Sequence, residues 1–253
     1  MSSHVFAPRR TTRVAVLTVD RELAERLDGA RRERAETLSV ARVLRRPQGV
    51  WDATHDAAHG RDGLGLLVIE GTLVRRVGMA GRFGAEILSA GDLLQPAEHD
   101  GEGATLPFEA TWRVLTPMRL AVLDLTWMAR MSPFPEVFAE IARRAMVRSR
   151  RLASLQAIVQ HHRLEPRLQL LFWELADRYG RVCPEGVRLE LPLTHDLISH
   201  LVGAHRPSVS AALSRLEQAG RLRREGRTWV LVGPPPALDD PAALGEAATS
   251  LGR

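Results

Sequence analysis

The chain has 253 residues, enough for two domains with cores of their own, and an apolar fraction of 45% that is ordinary for a globular protein. No stretch approaches the ~18 consecutive apolar residues of a membrane span, and the opening MSSHVFAPRRTTR lacks the apolar core of a signal peptide, so a cytoplasmic protein is expected. The net charge is +5, all 35 basic residues are Arg, and the single cysteine, Cys183, excludes an internal disulfide and any all-cysteine metal cluster. Composition alone leaves the basic excess even between solubility and attraction to phosphate; the position of the arginines has to decide.

Residues 1–12 read as a loose tail inside an N-terminal extension, 1–50. RVAVLT (13–18) reads as a strand, and Asp20 as the cap of a helix reaching about Ala35, with Leu23, Leu27 and Ala30 on one face. From 51 to 132 short apolar runs alternate with turns. GLGLLVIEGTLVRRV reads as two strands about Glu70-Gly71, and further strands are expected at Ala85–Leu88, Ala110–Leu115 and Leu120–Leu125. Ser89-Ala90-Gly91-Asp92 and Asp100-Gly101-Glu102-Gly103 read as turns. This spacing predicts a small antiparallel β-barrel or jelly roll, and the whole chain an α+β protein.

Pro133-Phe134-Pro135 ends that region and opens a segment, 133–163, dominated by a helix over about 136–162. Phe138, Ile141, Ala145, Leu152, Leu155 and Val159 form an imperfect heptad stripe, which predicts a dimer interface. Packing of the same stripe on the chain's own barrel is the alternative. A second helix over 165–179 buries Leu168, Leu171, Phe172, Leu175 and Ala176. The tail after Gly233, 234–253, has no strong pattern.

The segment 164–233 carries the most information. Thr194 is a good N-cap for a helix over 195–202 with Leu197, Ile198 and Leu201 on one face, ended by Gly203. A second helix starts near Arg206, with Pro207 in its first turn, Val209, Ala212, Leu213 and Leu216 buried, and Gly220 as its stop. Two helices joined by about three residues around a glycine match a helix-turn-helix. The second helix exposes His205, Arg206, Ser208, Ser210, Ala211 and Ser214, short or hydrogen-bonding groups that let a helix approach the floor of the major groove. Arg206 has the reach to give a guanine edge two parallel hydrogen bonds. Leu222 and Val230–Val232 predict a β-hairpin wing about Glu225-Gly226, with Arg221, Arg223, Arg224, Arg227 and Thr228 on or beside it, where a duplex backbone would pass.

Barrel, long helix and winged helix-turn-helix, in that order, resemble the Crp/Fnr transcription regulators. The residues that carry the resemblance are Ile69-Glu70-Gly71, Leu88-Ser89-Ala90-Gly91-Asp92, the long helix, and LTHDLISHLVGAHRPSVSAALSRLEQAGRLRREGRTWVL, together spanning about 60–233. The resemblance implies a homodimer on palindromic double-stranded DNA, engagement of RNA polymerase at promoters, and base reading by Arg206. The family's acidic base-contacting position is Pro207 here. The resemblance also implies a cyclic-nucleotide-type pocket, placed at Gln95, Phe108, Glu109 and Arg113. The family's Gly-Glu and Arg-Ser pairs are replaced by Gln95-Pro96 and Phe108-Glu109, and an acidic side chain there repels a cyclic phosphate. An effector other than cyclic AMP, or none, is therefore expected.

No cofactor, metal site or catalytic constellation is evident. His55 and His59 stand four apart but in a loop-like segment, and neither His161-His162 nor His99 has metal-ligand spacing. Two alternatives remain open: a constitutive regulator whose barrel is a scaffold, and a winged helix that binds a partner protein.

Overall fold

The computed structural model describes residues 12–53, 56, 59–96 and 108–236. The chain divides into two compact units, 1–75 with 87–148, and 76–86 with 149–253. The turn expected at 100–103, His55, His99, and the greater part of both tails lie outside the described residues.

The first unit is built on seven strands: β1 (Arg13–Ala15), β2 (Val40–Arg46), β3 (Gly49–Trp51), β4 (Gly65–Met79), β5 (Arg82–Ser89), β6 (Leu93–Leu94) and β7 (Glu109–Leu123). They form one sheet in the order β1-β2-β7-β4-β5, with β3 also on β7 and β6 also on β4. The antiparallel sheet expected of a barrel or jelly roll is present, and among the described residues its strand order does not close into a barrel.

Both faces of its central strands are covered. Leu66 and Val68 of β4, with Trp112, Val114, Met118, Leu120 and Val122 of β7, lie in one core, while Leu67, Ile69, Ala121 and Leu123 point into another. Two-sided burial is why LLVI and LAVL are continuous apolar runs rather than alternating ones. The break expected at Glu70-Gly71 is a bend within β4. Gly71 takes φ +92, and a Cβ there would meet the Pro117 carbonyl oxygen at 2.5 Å. Past the bend the alternation shifts by one, so Leu73 joins Leu66 and Val68 in the same core. The two strands expected at 110–115 and 120–125 are likewise one, β7. Leu125 does not extend it but opens helix α3 (Leu125–Met131), whose cap Asp124 accepts the Trp127 backbone N–H at 2.8 Å.

The N-terminal segment departs furthest from expectation. Only Arg13–Ala15 is strand, on the edge of β2; α1 (Val16–Val19) and a 3₁₀ turn (Arg21–Ala24) follow, then α2 (Gly29–Leu38). Asp20 caps no helix. Its carboxylate is taken by Arg144, with Nη1 at 2.5 Å and Nη2 at 2.8 Å. Val16, Leu17, Leu23, Ala24 and Leu27 pack with Trp127, Met131 and Phe134 in the second core. Fully buried Ser39 stitches it: its hydroxyl accepts from the Leu17 N–H at 3.2 Å, and its carbonyl accepts from the Trp127 indole at 2.9 Å.

The long helix, α4, spans Pro135–Val159, and α5 spans Leu164–Tyr179. The second unit continues with β8 (Gly180–Cys183), β9 (Gly186–Leu189), α6 (His195–Val202), α7 (Arg206–Gln218), β10 (Leu222–Glu225) and β11 (Thr228–Leu231). β8 and β9 were not expected. They extend the wing into a four-stranded sheet, β10-β11-β9-β8. Its core packs Leu168, Leu171 and Phe172 of α5 with Ile198, Val202, Val209, Leu213 and Trp229, all nearly free of solvent contact. No helix among the described residues is long and apolar enough to cross a membrane.

Candidate nucleic-acid interface

Local chemistry sets the two helices of the reading unit. The Thr194 hydroxyl accepts the Leu197 N–H at 3.1 Å and so caps α6. Gly203 ends it at φ 62 in the left-handed region, where a Cβ is costly, and this turns the chain into α7 within three residues. Pro207 sits in the first turn of α7, where no helical hydrogen bond is lost. Arg167 of α5 steadies the junction: Nη1 donates to the Val202 carbonyl at 3.0 Å, placing a cation at the C-terminal end of α6.

α7 buries Val209, Ala212, Leu213 and Leu216 and presents His205, Arg206, Ser208, Ala211 and Ser214 to solvent. Ser210 is half-buried, and Thr194 is exposed beside the start of α6. Beyond α7, β10 and β11 pair from Leu222↔Leu231 to Glu225↔Thr228, closing the wing over Gly226-Arg227. Arg221 and Arg227 are exposed, and Thr228 is half-buried. The ten residues expected to meet DNA therefore belong to the start of α6, to α7 and to the wing.

The arginines here differ in their engagement. Arg223 pairs with Glu225 at 2.8 Å, and Arg215 with Glu165 at 2.5 Å. Arg206, Arg221 and Arg227 form no ion pair or hydrogen bond among the described residues. Unpaired guanidinium groups on an exposed face are the ones available to phosphate and base edges. Ser214 is partly committed, since its hydroxyl donates to the Ser210 carbonyl at 3.2 Å.

Sequence reasoning missed a cluster behind this face. His195, the first residue of α6, has Nδ1 2.8 Å from the Ser210 hydroxyl and Nε2 3.4 Å from Nη1 of Arg224. Arg224 lies over the Trp229 ring, 5.2 Å from its centroid, and its Nε donates to the Gly226 carbonyl at 3.1 Å. Burial, with the nearby Arg224 and Arg206 cations and against Glu217, holds the His195 imidazole below its ordinary pKa. A histidine after a capping threonine was visible in the sequence; its meeting with a residue fifteen positions later depends on how the two helices cross.

The other expected site residues are scattered. Gln95 donates its amide to the Gly63 carbonyl at 3.1 Å, while Phe108, Glu109 and Arg113 are exposed. On α4, Ile141 is buried in the chain's own core and Phe138 packs against that core. Leu152, Leu155 and Val159 are half-buried, and Ala145 is exposed. Among the described residues no three His, Cys, Asp or Glu side chains gather as metal ligands.

The family model of the Crp-like helix-turn-helix domain matches residues 166–240. The Regulatory protein CysR of Synechococcus elongatus is 34% identical over 104 residues, 40% of this chain and 50% of that protein, so the chain spans about half the length of this curated relative. Among solved structures, a CooA mutant from Carboxydothermus hydrogenoformans superposes with a TM-score of 0.60 at 19% identity, covering 76% of this chain and 83% of that one. The c-di-GMP-responsive global regulator CLP of Xanthomonas campestris superposes with a TM-score of 0.55 at 19% identity, covering 80% and 98%. At such identities these two show the fold. The family-model match gives residues 166–240 as a Crp-like helix-turn-helix domain, and the superpositions show that the chain shares the fold of these two regulators.

Proposed function

We propose that this chain is a cytoplasmic, non-catalytic regulator that binds a palindromic DNA site as a homodimer and acts on RNA polymerase at promoters. α7 enters the major groove, with Arg206 reading a guanine and Ser208, Ser210 and Ala211 close to the groove floor. Arg221, Arg227 and Thr228 meet the backbone on either side. The observation that carries this reading is the gathering of the unpaired, exposed arginines Arg206, Arg221 and Arg227 on α7 and the wing, beside the exposed short side chains Ser208, Ala211 and Ser214. The domain boundaries that fit it are 51–132 for the effector-type domain, 133–163 for dimerisation and 164–233 for DNA.

The dimer seam fits a face of α4 turned from the one the sequence suggests. Ala142, Met146, Ser149, Ala153 and Gln156 are exposed, uncharged and spaced four and three apart, and Met146 is 69% exposed. A second copy of the chain along this stripe places two reading heads about 34 Å apart, one turn of B-DNA. Met146→Glu is expected to give a monomer in sedimentation; a surviving dimer puts the seam elsewhere.

A second reading, a regulator that needs no ligand, is favoured by the four residues expected at an effector pocket, three of which are exposed. Trp51 and Trp112 also meet edge to face at 5.6 Å within the sheet core. Thermal shift with cyclic mono- and dinucleotides separates the two readings. The test of the main proposal is selection from random duplexes at low ionic strength. Enrichment of a palindrome is expected, and no enrichment overturns it.

A further inference from the structure

The strongest unexplained feature is the cluster that joins three parts of the reading unit through one imidazole. His195 belongs to α6, Ser210 to α7, and Arg224 with Trp229 to the wing. The donors and acceptors fix its protonation pattern. A guanidinium has no acceptor, so the approach of Arg224 Nη1 to His195 Nε2 is attractive only when Nε2 carries a bare lone pair. A neutral imidazole then holds its proton on Nδ1, which donates to the Ser210 hydroxyl oxygen at 2.8 Å. The Ser210 oxygen is thereby occupied on its inner side, and its own proton is left to donate outward. Arg224 is held in turn by the Gly226 carbonyl, the Trp229 ring and His195.

We propose that His195 is a positioning residue for DNA reading: as its Nδ1–H tautomer it orients the Ser210 hydroxyl on the recognition helix and the Arg224 guanidinium on the wing toward one duplex. This rests on the DNA-binding reading above and adds a residue that has no need to touch DNA itself. Its consequence is specific. Protonation puts the ring's second hydrogen on the formerly bare Nε2, turns the acceptor facing Arg224 into a donor and sets two cations side by side. The wing arginine loses one of its three holds, while the total positive charge of the face rises. Discrimination between sites and overall affinity therefore move in opposite directions as pH falls. The charged groups that bear on His195 are Arg224 of the wing and Arg206 and Glu217 of α7. Burial and the two arginines lower its pKa, which sets the transition below the ordinary 6.5 of histidine.

The test titrates a selected palindrome and a scrambled duplex with wild type, His195→Ala and His195→Asn at about pH 7.5 and 5.5. At the higher pH His195→Ala is expected to lose about three- to ten-fold in the ratio of the two affinities per half-site. Wild type is expected to approach that ratio at the lower pH, while His195→Ala stays flat. His205, exposed on the same face, is common to both proteins, so their difference isolates His195. His195→Asn places an amide nitrogen near the Nδ1 position, and is expected to keep part of the ratio and to lose its pH dependence. Nitrogen chemical shifts of the free wild-type protein give a readout independent of DNA, with protonated Nδ1 and bare Nε2 expected near neutral pH. An Nε2–H tautomer, or a His195→Ala ratio equal to that of wild type, overturns the proposal and leaves DNA binding standing. Wild type that selects no duplex overturns both. If His195→Ala fails to fold, the wild-type pH profile and the tautomer decide.

Discussion

Arginine is put to two different ends in this chain, and an example from each unit shows the difference. In the first unit Arg144 spans Asp20, Glu22 and Glu140, and Arg46 grips the buried carboxylate of Asp56, both structural roles. In the second, Arg206, Arg221 and Arg227 stand exposed and unpaired among the described residues. The overall excess of positive charge is therefore a poor guide to partners. What distinguishes a structural arginine from a binding one is an acceptor of the chain within reach, a carboxylate or a backbone carbonyl, and that is a property of the fold.

Arg144→Ala should break this comparison most forcefully. The side chains of Arg144 and Asp20 are 14% and 12% exposed, so its removal strands buried carboxylates, at a cost of about 3–5 kcal/mol. Urea unfolding measures it; a loss under about 1 kcal/mol would make the network a surface ornament. Arg206→Ala should behave the other way. Its stability is expected to stay within about 0.5 kcal/mol of wild type, while binding weakens by about 1–3 kcal/mol per half-site and preference relaxes at one base pair. Uniform loss across sequences would reassign Arg206 to phosphate. Arg227→Ala is expected to do just that, and to flatten the salt dependence by about one unit per contact, doubled in a dimer. An unchanged slope rejects the contact.

The smallest expected effect involves the histidines. His59, His195 and His200 all have pKa values below the ordinary 6.5, chiefly through burial and secondarily through Arg42, Arg224 and Arg76 respectively. The unfolded chain therefore takes up protons first as pH falls. Their contribution to stability is full above 6.5, declines as pH drops toward the folded-state values, and then levels off. Urea midpoints between about pH 7.5 and 5.5 should fall accordingly; a rise would mean that the folded state holds these protons more tightly.

The same contrast explains what could be read in advance. α6 and α7 were legible to within a residue or two because their signals are local: Thr194, Gly203 and Pro207 act on their own turns. The N-terminal segment was not, because Asp20 looks like a cap until Arg144, 124 positions away, claims it. β8 escaped notice because it is a four-residue strand with Val182 90% exposed, leaving no alternation to see. β4 and β7 were each divided in two, since runs buried on both faces carry no period. At the interface the outward side chains were legible and the inward His195–Ser210 contact was not.

The bend at Gly71 has a consequence for how the chain finds its fold. A strand with one wet face resists slipping, because a one-residue shift would drive oil into water. β4 has no wet face along Leu66–Ile69, so such a shift would merely exchange occupants between two interiors, a mistake that hydrophobicity alone corrects weakly. Gly71 supplies a signal of another kind: only the residue without a side chain fits beside Pro117, and this point of steric contact helps to key the pairing of two fifteen-residue strands.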